Sequence, residues 1–270
     1  MILTDIHCHI IPGVDDGSGS LDESIKMIME ARRDGIERII ATPHYHEGRA
    51  LASRAEREEA YNLLLREIKA LDVNMEIYLG NEVFVHDGMV EGLKSGEIAV
   101  MNADVTVGTV PDVTQSVTTG DCPHLSHQIP AGRTKYVLLE FHPSHDYNRI
   151  RQGAYDLLEG GFRPIIAHIE RYEAIVRNPD YARELKDLGC LIQVNAGSVT
   201  GGGFKTKGFI RTLLKDELIS FIATDAHRAE GHRAPRLKEC AKFIEKKYGA
   251  ETAIEIFEAN PTKVINGEII

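Results

Sequence analysis

Short apolar runs that end in a histidine, aspartate or glutamate recur along this chain, separated by stretches with helical spacing. Ile39-Ile40-Ala41-Thr42-Pro43 ends in His44, Glu76-Ile77-Tyr78-Leu79-Gly80 runs into Asn81-Glu82, and Tyr136-Val137-Leu138-Leu139 ends in Glu140. Pro164-Ile165-Ile166-Ala167 ends in His168, and Ile219-Ser220-Phe221-Ile222-Ala223-Thr224 ends in Asp225-Ala226-His227. Thr4-Asp5-Ile6-His7-Cys8-His9 opens the chain in the same way and leads into Val14-Asp15-Asp16-Gly17. Runs this short, bounded by turn residues, read as strands, and Leu191-Ile192-Gln193-Val194-Asn195 is another.

The intervening stretches predict helices. Residues 21–34 open on a capping box formed by Ser20 and Glu23 and close at Gly35. Residues 54–70, 147–159 and 179–188 follow the same period, the last two stopping at Gly160-Gly161 and Gly189, and residues 235–248 and 251–258 finish the chain. The count is about seven strand-then-helix units without an internal repeat. Such alternation predicts parallel strands in an α/β barrel. The C-terminal strand ends of a barrel face one mouth, where active sites sit, so residues far apart in sequence become neighbours there.

Residues 101–134 break the pattern. They are rich in Val, Thr, Gly and Pro, hold no sustained period, and exceed the usual length of a structureless connection. A flap, an added hairpin and a disordered segment all fit. Asp121, Cys122, His124 and His127 within it read as solvated loop residues rather than ligands.

Length and composition suit one domain spanning residues 1–270, since single α/β barrels reach this size and 43% hydrophobic residues fill a sizeable core. No apolar run reaches the roughly 18 residues of a membrane span, and the chain starts on a strand rather than a signal segment, so a cytoplasmic setting without membrane insertion is expected. A net charge of -10 argues against a nucleic-acid surface. Cys8, Cys122, Cys190 and Cys240 lack the spacing of a disulfide framework or zinc knuckle and read as reduced thiols.

His7 and His9, two apart on a strand, point to one face, and nitrogen with oxygen ligands suits a divalent transition metal. A cysteine-based phosphatase is nearly excluded. It needs an arginine closing the loop six residues after the cysteine, where this chain has Val14, Gln128, Ala196 and Lys246. Gly201-Gly202-Gly203, beside Lys205 and Lys207, lacks the Gly-Lys-Ser/Thr ending of a nucleotide loop and reads as a turn at the rim. His86 and His232 are expected to face solvent, and His142 and His145 to reach the rim.

The motifs together resemble the polymerase and histidinol phosphatase (PHP) superfamily, and within it the manganese-dependent bacterial tyrosine phosphatases that control capsule and exopolysaccharide synthesis. The matching pieces are Asp5-Ile6-His7-Cys8-His9 with Asp15-Asp16-Gly17, Ala41-Thr42-Pro43-His44, Gly80-Asn81-Glu82 and Leu138-Leu139-Glu140-Phe141. Further on come Ile166-Ala167-His168-Ile169-Glu170-Arg171-Tyr172, Gln193-Val194-Asn195-Ala196-Gly197-Ser198 and Ala223-Thr224-Asp225-Ala226-His227, so the likeness spans nearly the whole chain in order.

The resemblance implies a distorted (β/α)7 TIM-like barrel holding three divalent metals, manganese first, with iron or zinc as alternatives. It implies one metal on His7, His9, Glu82 and Asp225, a second sharing Glu82 with Glu140 and His168, and a third on Asp16, His44 and His227. Four carboxylates cannot neutralise three such cations, so the mouth of an acidic protein still attracts a phosphate dianion. A metal-held hydroxide is the implied nucleophile. Arg171 is the implied phosphate clamp and Arg233 the second candidate, with Arg228 crowding the same loop; Tyr45, His46, Phe141 and Tyr172 are candidate rim contacts for a phenyl ring. The implied activity is protein-tyrosine-phosphatase, with the phosphotyrosine tail of a bacterial tyrosine autokinase as partner. A small-molecule phosphatase such as histidinol phosphatase shares every ligand, and a metal-stabilised binding module is the non-enzyme alternative. Oligomeric state stays open.

Overall fold

The computed structural model describes residues 1–49, 51–102 and 132–270. Most of the irregular segment, including Asp121, Cys122, His124 and His127, lies outside the described residues. Among the described residues there are nine strands: β1 (Leu3–Cys8), β2 (Ile36–Ala41), β3 (His44–Tyr45), β4 (Glu76–Leu79), β5 (Glu82–Phe84), β6 (Tyr136–Glu140), β7 (Arg163–Ile166), β8 (Leu191–Asn195) and β9 (Phe221–Ala223). Their order is β1-β2-β4 in one sheet and β3-β5-β6-β7-β8-β9 in the other, every pair parallel.

Two of these strand lines are interrupted rather than ended. Pro43, which has no N–H to give a ladder, separates β2 from β3, and Gly80-Asn81 separates β4 from β5. The Asn81 amide donates to the Pro43 carbonyl at 2.9 Å and the Glu82 N–H to the same oxygen at 3.2 Å, which ties the two interruptions together. Counting each interrupted line once leaves seven, in chain order. The last meets the first where His9 N–H donates to Ala226 O and Asp225 N–H to His7 O, both at 2.8 Å. The architecture is a distorted, seven-stranded parallel barrel.

Strand alternation sorts the core into two layers. Ile6, Ile40, Tyr136, Leu138, Ile165, Ala167, Leu191, Phe221 and Ala223 form the interior cluster, while Ile39, Val137, Leu139, Ile166, Ile192, Val194 and Ile222 pack outward with the helices. Continuing the inward register past Leu138, Leu191 and Ala223 gives Glu140, Gln193, Asn195 and Asp225. One face of each strand is thus apolar at the bottom of the barrel and polar at its mouth.

The opposite end is closed by Met101, Val264 and Ile265, which join the interior cluster, and by the Tyr136 hydroxyl, which donates to Glu268 O at 2.5 Å. Val264 and Ile265 lie on helix Asn260–Asn266, which the sequence pattern did not predict because Pro261 resembles a terminator; here Pro261 sits in the first turn, where no N–H is missed. Helix Phe204–Lys215 was also unanticipated. The final long helix begins at Lys238 rather than residue 235, because the Asp34 carboxylate accepts from the N–H groups of Leu237 and Lys238 at 2.5 and 2.7 Å, a cap supplied from far away in sequence. The box expected at Ser20 is displaced: Ser20 caps Glu23 N–H, but Glu23 takes the N–H of Gly19. A reciprocal box forms instead at Ser53 and Glu56. Among the described residues no helix is long and apolar enough to cross a membrane.

Candidate active site

The C-terminal end of β1 sets the geometry. His7 and His9 are buried, and their Nε2 atoms lie 3.2 Å apart. His7 Nδ1 is 3.3 Å from the Gln193 side-chain oxygen, and His9 Nδ1 is 2.8 Å from Asp15 Oδ2. Gln193 is itself oriented, since its oxygen accepts the His168 N–H at 2.6 Å and its amide donates to Asn195 Oδ1 at 2.8 Å. Both Nδ1 atoms therefore carry the proton and both Nε2 lone pairs converge. Asp15 holds its place because the loop after it turns tightly against His9: a Cβ on Gly17 would lie 2.4 Å from His9 Cβ and from His9 O. Gly17 and His44 also donate their N–H groups to Asp15, at 2.9 Å each.

Glu82 stands at the centre. Its Oε2 lies 3.1 Å from His7 Nε2, 3.2 Å from His9 Nε2 and 3.2 Å from His44 Nδ1, yet it accepts a hydrogen bond from none of them. Its Oε1 is 2.9 Å from His168 Nε2, which is 3.6 Å from Glu140 Oε1. Asp225 Oδ1 is 3.5 Å from His7 Nε2 and 3.7 Å from His9 Nε2. On the outer side Asp16 Oδ1 lies 3.3 Å from His44 Nε2 and 3.4 Å from His227 Nε2, and the His9 and His227 rings stack at 3.9 Å. All nine residues singled out as ligands thus meet in one continuous cluster. His44 differs from the expected partition by facing both ways, with Nε2 toward Asp16 and Nδ1 toward Glu82 and Glu140.

The donor set fits divalent cations. Three groups can each close on one ion: His7, His9 and Glu82; His44, Glu82 and Glu140; and His9, Asp16, His44 and His227. Facing imidazole lone pairs repel unless a cation lies between them, and a buried carboxylate oxygen without a donor is costly for the same reason. Electrostatics agree. Burial opposes charge on His9, but the Asp15 and Glu82 carboxylates beside it raise it to about 10 when no other cation shares the site, so a positive charge is favoured at this point. Burial likewise opposes charge on Glu82, yet His7, His168 and His9 hold its carboxyl well below the usual range. Glu140 is raised, by burial and by the negative charge of Glu82. Positive charge around Glu82 is what holds its carboxylate ionised in this buried setting.

Backbone strain marks two of the same positions. His168 has φ 29° and Asp225 φ 54°, left-handed values that non-glycine residues rarely adopt, and both sit where a strand leaves the barrel. Below them Asp5 is buried, accepting from Thr224 N–H at 2.9 Å and Thr224 Oγ1 at 2.5 Å, and burial pushes its carboxyl up to about 6. Asp5, Asp15, Gln193 and Asn195 were not singled out as site residues. Their signal was present, since all four fall inside the quoted motifs, but nothing local distinguishes an orienting polar residue from a solvated one.

The arginines divide by partner. The Arg171 guanidinium is ion-paired with Asp225 Oδ2, which also accepts from Asn195 Nδ2 at 2.9 Å, while the side chain stays 42% exposed. Arg233 Nη2 lies 2.6 Å from His227 Nδ1 and 3.7 Å from Asp225 Oδ1. Arg228 instead donates to the backbone carbonyls of Asp16, Gly17 and His227, so its guanidinium is spent on holding the loop.

The rim differs from expectation. Tyr172 is fully buried, its hydroxyl oxygen accepting the Phe141 N–H at 3.2 Å and its ring edge-on to buried Phe141, so neither presents a ring at the mouth. Tyr45 is half-buried beneath the Arg57 guanidinium, and His46 stacks on Phe84 at 4.4 Å. His86 is mostly covered, stacked on Tyr45 and 3.1 Å from Glu47, rather than facing solvent. His145 approaches Phe84 and Phe141, and His142 is exposed. Cys8, Cys190 and Cys240 are buried free thiols, and burial raises Cys190 and Cys240 to about 12.

A parallel barrel with imidazole and carboxylate donors gathered at its strand exits defines the PHP and amidohydrolase-like class. Within it the chain belongs to the capsular polysaccharide synthesis CpsB/CapC family, whose model matches residues 3–109 and 111–266. It is 32% identical to the tyrosine-protein phosphatase CpsB of Streptococcus pneumoniae over 99% of this chain and all of that one. It is 31% identical to the tyrosine-protein phosphatase YwqE of Bacillus subtilis, over 92% of this chain and 86% of that one. The fold superposes with a TM-score of 0.80 and 28% identity on a structure from a study of YwqE and CpsB, described there as unique metal-dependent tyrosine phosphatases, covering 99% of this chain and 96% of that one. Histidinol phosphate phosphatase of Lactococcus lactis shares the fold with a TM-score of 0.55 at 15% identity, over 92% and 94% of the two chains.

Proposed function

We propose that residues 1–270 form one catalytic domain, a metal-dependent protein-tyrosine phosphatase of the capsule-synthesis type. The observation that carries the reading is the meeting of His7 and His9 through their Nε2 atoms, each ring held by an outer acceptor at Nδ1, over a donor-less Glu82 oxygen. His7, His9, Glu82 and Asp225 would hold one ion, with Glu82 shared toward Glu140 and His168, and Asp16, His44 and His227 on the outer side. Manganese as the metal, three as the number, a cytoplasmic setting and a bacterial tyrosine autokinase as the phosphoprotein belong to the same reading and rest on family resemblance. Bound divalent ions supply Lewis acidity, making water nucleophilic near neutral pH and offsetting charge on the phosphoryl oxygens.

The chain's own residues do the rest. Gln193 and Asp15 fix which imidazole nitrogen faces inward, as outer partners of metal-binding histidines do. Arg171, oriented by Asp225, and Arg233, beside His227, present planar forks to the phosphate oxygens. Phenol ionises near pH 10, far below an aliphatic alcohol, so a phosphotyrosine leaving group needs less protonation than a phosphoserine one. The ring also carries the phosphate far enough from the peptide backbone to reach the donors recessed in the barrel mouth, while His46 stacked on Phe84 offers apolar surface at the rim.

Side-by-side kinetics on a phosphotyrosine peptide, a phosphoserine peptide and histidinol phosphate test this reading. The expected order places phosphotyrosine first. A clear preference for histidinol phosphate would replace the protein substrate with a small metabolite.

A further inference from the structure

Beside the mouth runs a groove of about 530 Å³ that the chemistry above does not use, between helix Glu173–Arg177 and helix Phe204–Lys215. Val176, Pro179, Phe204 and Phe209 line it with apolar surface, and Arg177 and Lys205 add charge. Phe204 is 96% exposed, more than any other large apolar side chain among the described residues. A lone exposed apolar residue is ordinary. This one heads a concave surface that joins the site at both walls. Helix Glu173–Arg177 follows directly on the Ile169–Arg171 turn, and helix Phe204–Lys215 packs against that same turn. The chain reaches Phe204 within nine residues of Asn195, which holds Asp225.

Charge narrows the occupant. Helix Phe204–Lys215 carries Lys205, Lys207, Arg211 and Lys215 and no carboxylate, in a chain of net charge -10. Of these only Lys205 lines the groove, near the helix N-terminus where the dipole disfavours cations, so helix stability does not account for it; Lys207 and Arg211 lie on the opposite face of the helix. The one acid lining the groove, Glu173, is neutralised by Arg177 at 2.6 Å.

We propose that this groove seats the peptide segment flanking the phosphotyrosine, an acidic stretch carrying a second aromatic or apolar side chain. That side chain would lie against Phe204 and Phe209, with a carboxylate opposite Lys205. The proposal rests on the phosphatase reading and adds to it a source of substrate selectivity outside the metal cluster. A peptide fits better than an anionic membrane surface because the feature is concave and its walls adjoin the turn that carries Arg171.

The test compares wild type with a Phe204→Ser, Lys205→Glu variant, both changes lying at exposed positions that leave the core intact. Turnover is measured on p-nitrophenyl phosphate and on phosphotyrosine peptides with acidic or with lysine flanks. The ratio of kcat/KM for the acidic peptide to that for the aryl ester should fall about tenfold, mainly through KM, and the preference for acidic over lysine flanks should disappear. An unchanged ratio would overturn the proposal. So would an unchanged ratio accompanied by lost sedimentation with phosphatidylcholine–phosphatidylglycerol vesicles, which would assign the face to a membrane. Fluorescence anisotropy of the unphosphorylated acidic peptide reads the groove without turnover. A wild-type protein that binds this peptide but hydrolyses no phosphotyrosine would therefore sink the phosphatase reading alone, and equal peptide binding by wild type and variant would sink the groove alone.

Discussion

His7 and His9 face each other through Nε2 atoms 3.2 Å apart, each ring turned that way by an acceptor on its other nitrogen, Gln193 for His7 and Asp15 for His9. Two residues on one strand face do not by themselves aim two lone pairs at one point. The outer acceptors do, and they come from the first loop and from β8, which only β9 separates from β1.

Asp15 therefore has a measurable role without touching substrate. Asp15→Asn keeps the shape but exchanges a carboxylate acceptor for an amide, which holds the His9 tautomer less firmly. Metal affinity should fall about tenfold or more, with kcat recovered at saturating metal. Titrating metal against activity reads this directly. An unchanged titration curve with reduced kcat would mean that Asp15 acts elsewhere.

Arg171 is exposed on one side and ion-paired with Asp225 on the other, a geometry that presents its free N–H groups to the mouth. Arg171→Ala should lower kcat/KM on a phosphotyrosine peptide roughly a hundredfold, the scale of removing one preorganised donor. Arg171→Lys should recover little, because an ammonium lacks the planar fork. Wild-type kinetics in the lysine variant would show that no bidentate contact exists.

Barrel closure concentrates on Asp5. Its carboxylate accepts from Thr224 N–H, Thr224 Oγ1 and His7 N–H, joining β1 to the end of β9 beneath the cluster. Asp5→Ala would leave two backbone donors buried without partners and should cost about 2–4 kcal/mol, measured as a lowered urea midpoint. A stability loss below the scatter of surface substitutions would place the closure elsewhere.

The thiols should be dispensable. Cys8, Cys190 and Cys240 are buried, and burial holds all three thiols above their ordinary range, so none is poised as a nucleophile. Replacing each by alanine should leave phosphotyrosine turnover within a few-fold of wild type. Abolished turnover in a folded Cys8→Ala protein would reopen thiol chemistry.

The chain's alternating pattern made the barrel readable, because each apolar run ended where an inward polar residue began; Leu138 and Glu140, or Ala223 and Asp225, show period two carried from core into site. The gathering of imidazole and carboxylate donors at one mouth was legible for the same reason. Asp15, Gln193 and Asn195 were not, since what they do depends on which ring nitrogen lies opposite them, and that is set across the barrel. Tyr172 reads as a rim aromatic and is a packed core residue, because the strained turn at His168 carries the chain back into the protein before it. Helix Asn260–Asn266 escaped notice because the role of Pro261 depends on whether a helix continues through it.

Metal content against turnover tests the central claim most directly. Protein stripped by chelation and measured for residual metal should retain its far-ultraviolet circular dichroism and lose phosphotyrosine hydrolysis. Activity should return in proportion to the divalent ion bound when manganese is added back. Full turnover in a folded preparation that contains no bound metal would contradict the account.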